Sequence, residues 1–142
     1  MKEIRGRLVQ AAGALGLCSP CVTVVVVRDN FMSELHLRYG GVEGTTDVLT
    51  FDLSGDERSG RLEGEVYVCL DEARRRAAEL GHDVNRELLL YALHGLLHLS
   101  GYDDRDPAGY RRMHAREDQI LTAIGVGPTF SKPGAAKAGA AR

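Results

Sequence analysis

Residues 84–99 constrain the fold more than any other stretch. Leu88 to Leu93, Leu96, Leu97 and Leu99 place apolar surface around most of a helical cylinder, with no polar stripe left for solvent. Such a helix has to be enclosed by the rest of the protein. Val84–Leu99 is therefore read as a central buried helix ended by Gly101, and the other elements are expected to wrap it. Residues 2–16 carry Ile4, Leu8, Ala11, Ala12 and Leu15 at helical period. Val22–Val27 is a nearly unbroken β-branched run, expected to be a central strand buried on both faces. Asn30 is placed to cap a short helix to about Tyr39, stopped by Gly40-Gly41. Val48–Leu53 and Leu62–Leu70 read as strands around an exposed loop, Ser54–Arg61. Asp71–Leu80 and Pro107–Ile124 read as helices. The expected class is α/β (α+β): a small mixed sheet packed with helices in one domain, residues 1–126. Residues 127–142 are of low complexity and expected to form a disordered tail.

Charge and length narrow the function classes. The net charge is −2 over 142 residues. The tail holds Lys132, Lys137 and Arg142 and no acid, so residues 1–126 carry −5. An acidic body does not coat nucleic acid by bulk charge, though a local basic groove is compatible with it. No apolar run reaches the roughly 20 residues that cross a bilayer, and MKEIRGRLVQ lacks a secretory h-region. The expectation is a cytoplasmic protein with no membrane partner. Cys18-Ser-Pro-Cys21 is a lone CxxC read as a turn, because no second pair exists to complete a metal ribbon. Cys69 is read as core.

The chemistry concentrates at the end of the central helix. His94 and His98 are four residues apart, which puts both imidazoles on one face, their Cβ atoms roughly 5–6 Å apart. The segment continues as His94-Gly-Leu-Leu-His98-Leu-Ser-Gly101-Tyr102-Asp103-Asp104. Gly101 allows a sharp turn off the helix, and Asp104 can then fold back as a third ligand. Two histidines and one carboxylate make an open site of catalytic type, suited to one Zn²⁺ or another divalent ion. The spacing matches the metzincin arrangement, but Gly95 stands where those proteases carry their general-base glutamate, which argues against a protease.

HGLLHLSGYDD closely resembles the HGxLHLxGYDH signature of the YbeY family. Thr46-Asp47-Val48-Leu49-Thr50-Phe51 resembles that family's T(D/N)VLSF strand, and Glu65-Val66-Tyr67-Val68 is similar to its GDI strand. Met113-His-Ala-Arg-Glu117 resembles the pattern of its last helix. The resemblance spans about residues 22–124. It implies a metal-dependent endoribonuclease acting on single-stranded RNA in rRNA maturation and ribosome quality control. The implied partners are an rRNA precursor and the small ribosomal subunit. Three departures accompany it. The family's third histidine ligand is Asp104 here, preferred by register over Asp103 and His114. The family's arginine aligns with Gly40, and Arg38 is expected to take over its phosphate contact. The usual first strand before the opening helix is not found.

These readings assign His94, His98 and Asp104 to the metal, and Arg38 and Asp103 to catalysis, Asp103 by orienting a ligand from behind. The ion would bring the pKa of its bound water toward about 7. Glu65 or Asp47 could serve as base only if the fold brings them close. Arg74-Arg75-Arg76 and Arg111-Arg112 read equally as RNA contacts or as solvated faces, and His36 and His82 as surface residues. Tyr102, beside the ligands, is a candidate for stacking on a base. The alternative function is a ribosome- or RNA-binding assembly factor whose metal is structural; a third is hydrolysis of another ester or amide.

Overall fold

The computed structural model describes residues 2–17, 21–54 and 62–127. Cys18, most of the 54–61 loop and the tail beyond Gly127 lie outside them. The order is α1 (Lys2–Ala14), β1 (Cys21–Val27), α2 (Asp29–Gly40), β2 (Val48–Asp52), β3 (Glu63–Cys69), α3 (Leu70–Leu80), α4 (Val84–Leu99) and α5 (Pro107–Ala123). This is an α+β fold around one small mixed sheet, ordered β1-β3-β2. β1 runs parallel to β3 and β2 antiparallel to it.

α4 is the helix the apolar pattern requires. Every residue from Glu87 to Leu99 is buried except His98, and Asp83 caps its start by accepting from Asn85 N. The sheet separates two packing layers. Val66 and Val68 belong to the main core with α4, whereas Cys69 joins Met32 of α2 and Val27 in a smaller cluster against Leu49 and Tyr67. The alternation of β3 thus sends even residues toward α4 and odd residues toward α2.

Two sequence expectations are corrected. β1 is an edge strand, and β3 holds the centre of the sheet. The valines of β1 pack both ways, Val22, Val24 and Val26 on the main core and Val25 and Val27 on the smaller cluster. The β-branched run reported two-sided packing, which does not require two hydrogen-bonded neighbours. Asn30 is no cap, because α2 begins one residue earlier. The Asp29 N–H donates to Asp71 Oδ2 at 2.9 Å, so a carboxylate from the start of α3 does the work of an N-cap. Gly41, with φ of 68°, closes the other end.

Candidate metal centre

The site forms where α4 runs out. The His98 carbonyl accepts from Gly101 N and the Leu97 carbonyl from Tyr102 N, while Gly101 takes φ of 104°. That conformation is strained for a residue with a Cβ, and it turns the chain so that Asp104 returns to the helix. His94 Nε2 lies 3.4 Å from Asp104 Oδ2, and His98 Nε2 lies 3.6 Å from Asp104 Oδ1. The two Nε2 atoms are 3.0 Å apart. The structure brings these three residues together as one group able to hold a metal ion.

The other ring nitrogens decide the chemistry of that group. His94 Nδ1 is 2.7 Å from Glu117 Oε1, and His98 Nδ1 is 3.1 Å from the Tyr102 carbonyl oxygen. Carboxylate and carbonyl oxygens accept, so each Nδ1 carries the proton and donates it. In the neutral rings both Nε2 atoms then present lone pairs toward one another. Two lone pairs at 3.0 Å repel unless a cation lies with them, and a divalent ion bound by nitrogen and oxygen donors meets that need. Asp104 adds a carboxylate to the two imidazoles, its oxygens 3.4 and 3.6 Å from their Nε2 atoms. The donor set fits a metal.

Gly95 explains the missing glutamate sterically. A Cβ there would lie 2.5 Å from Val66 Cγ1 and 3.2 Å from Thr50 Oγ1. α4 rests directly on the sheet at this point, and position 95 points into the contact.

The remaining candidates fall elsewhere. Asp103 is exposed and forms an ion pair with Arg105 at 2.6 Å, so it stands outside the cluster. Arg38 is exposed in the last turn of α2, and α2 packs on the face of the sheet opposite α4. His114 is buried but pairs through Nδ1 with Glu117 Oε2 at 3.3 Å and is not among the three convergent residues. Asp47 is buried and accepts from Val48 N, while Glu65 accepts from the Tyr67 hydroxyl. Tyr102 contributes its carbonyl to His98. Arg75 and Arg76 are paired with acids of α2 and α3, which favours the solvated-face reading for them. His82 is no simple surface residue, because its Nε2 is 2.5 Å from Glu87 Oε2, a carboxylate with 1% exposure.

Sequence reasoning placed Glu117 in the last-helix pattern without a role. No local spacing signals one, since its partner His94 is 23 residues away.

The family model described as Endoribonuclease YbeY matches residues 3–125. A protein named Endoribonuclease YbeY from Anaeromyxobacter sp. (strain Fw109-5) is 38% identical over 96% of this chain and 72% of its own length. One of the same name from Moorella thermoacetica is 37% identical over 84% of each, and one from Frankia casuarinae is 40% identical over 72% of this chain and 56% of its own length. The solution structure of TM1509 from Thermotoga maritima matches with a TM-score of 0.59 and 26% identity, over 86% of this chain and 81% of that one.

Proposed function

The chain belongs to the YbeY endoribonuclease family, and from that premise we propose that it is a metal-dependent endoribonuclease cutting single-stranded RNA in rRNA maturation and ribosome quality control. The observation that carries the reading is the pair of imidazoles whose Nδ1 atoms are both engaged and whose Nε2 atoms face each other at 3.0 Å. His94, His98 and Asp104 would hold one divalent ion, zinc by the donor set. When bound, such an ion supplies Lewis acidity toward a phosphoryl oxygen and makes a water more acidic. The chain's own residues supply the frame. Glu117 and the Tyr102 carbonyl orient the rings, and the apolar seat of α4 keeps bulk water from the His94 side. Arg38, exposed on another layer, is assigned to the RNA strand away from the cut bond. Residues 1–126 form the working unit. Its partners would be an rRNA precursor and the small ribosomal subunit, in the cytoplasm. No helix among the described residues is long and apolar enough to cross a membrane.

The test is cleavage of an unstructured RNA by purified protein, wild type beside His98→Ala, with metal content measured on both by elemental mass spectrometry. Wild type should carry about one ion per chain and cut, and the variant should do neither. Cleavage by metal-stripped wild type would refute the proposal. The assembly-factor reading draws support from the positions of Arg38 and Asp103, both outside the cluster. It predicts RNA binding without cleavage, unchanged by His94→Ala, with a lowered Tm.

A further inference from the structure

We propose that Glu117 is a positioning residue for the metal site, fixing His94 as its tightly held ligand; the inference rests on the metal-site reading above. Glu117 projects from α5 with no exposed surface. A carboxylate removed from water in this way has to be paired, and here both oxygens are. Oε1 lies 2.7 Å from His94 Nδ1 and Oε2 lies 3.3 Å from His114 Nδ1. His114 is itself clamped, its ring 4.1 Å from that of Tyr110. The arrangement is layered: Tyr110 steadies His114, His114 takes one oxygen of Glu117, and the other oxygen sets the plane and proton of His94.

His98 is held differently. Its Nδ1 donates to a neutral carbonyl at 3.1 Å, and its side chain keeps 30% exposure against 1% for His94. A hydrogen bond to an ionised acceptor is roughly twice as strong as one between neutral groups, and it makes the imidazole a better donor to a metal. Charge points the same way. Neutral imidazoles with Asp104 and Glu117 bring two negative charges to the site, which a divalent ion balances. The bland alternative is that Glu117 only ties α5 to α4.

Zinc affinity separates the two. The full chain is titrated with zinc against a competing chelator, as wild type, Glu117→Gln and His114→Asn, and unfolding of each metal-free protein is recorded. Glu117→Gln preserves shape and an acceptor but removes the charge. It should weaken zinc binding about 10–100-fold while the metal-free Tm stays near wild type; His114→Asn should weaken it less. Zinc binding by Glu117→Gln equal to wild type would overturn the inference and leave the metal site standing. A wild-type chain that takes up no zinc would overturn both. Should Glu117→Gln fail to fold, proton NMR of the zinc-loaded wild type decides. A far-downfield, slowly exchanging Nδ1 proton on His94 but not on His98 supports the role, and the same signal from both rings, or from neither, refutes it.

Discussion

Among the described residues, two places gather three side chains close enough to share a metal ion: His94, His98 and Asp104 at the end of α4, and Asp29, Cys69 and Asp71 between α2 and α3. Their surroundings differ in one decisive respect. In the second cluster the donors are already neutralised. Arg75 meets Asp29 through two nitrogens at 2.9 Å, Arg28 meets Asp71 at 2.8 Å, and the Cys69 thiol donates to Asp29 at 3.3 Å. Burial pushes that thiol up, away from the thiolate a metal needs. In the first cluster Asp104 lies against the two imidazoles, with no guanidinium at ion-pair distance from it among the described residues, and the ring protons point outward to Glu117 and the Tyr102 carbonyl. Proximity of ligand atoms is therefore a poor criterion by itself; what separates a metal site from an ion-pair knot is whether positive charge is already present.

That contrast can be broken most sharply by His98→Ala, which should bring zinc content and RNA cleavage to background. Asp29→Ala should leave both at wild-type values, and zinc lost equally from the two would erase the distinction. Asp104→Ala comes next. It removes a direct ligand, so its loss of zinc affinity should exceed the roughly 100-fold ceiling for an outer residue, and Asp104→His should restore binding. A smaller effect is expected of Gly95→Ala, where the added methyl meets Val66 and overpacking costs about 1–3 kcal/mol. Chemical denaturation should register it together with weaker zinc uptake, because the ligand helix is lifted from its seat. The smallest effect belongs to the ion-pair knot. Asp29 is held well below the usual carboxylate range by Arg75, and Asp71 is lowered by Arg28. Depressed carboxyls favour the folded state at pH above the unfolded value of about 3.9, and that contribution is lost as pH falls through the lowered values. The exposure of these pairs keeps the effect modest. Asp29→Asn should flatten the acid limb of the stability–pH curve slightly and lower Tm at neutral pH by a few degrees at most.

The two clusters also differ in how well the amino-acid sequence foretold them. His94, His98 and Asp104 lie within one helix and its exit turn, so periodicity, a four-residue spacing and one glycine suffice to bring them together. The buried character of α4 is equally local. What escaped was set by tertiary packing. Glu117 reaches His94 from another helix, Asp71 replaces Asn30 as the cap of α2 from a different element, and His82 finds Glu87 across a turn. β1 looked central because β-branched residues record contact on both faces, and strand order leaves no mark in a strand's own composition. Arg38 was assigned through alignment to a family arginine, and the sheet lies between its helix and the histidines.

The seat of Gly95 on Val66 has an evolutionary corollary. Converting this scaffold into a peptide-bond hydrolase of the metzincin kind would require an acidic side chain between the two histidines, and the floor beneath that position is solid. A side chain there would press on Val66 and Thr50, so the helix would have to rise from the sheet to take it, carrying the metal ligands with it. A glutamate at that position is thereby set against the packing that seats the ligand helix on the sheet.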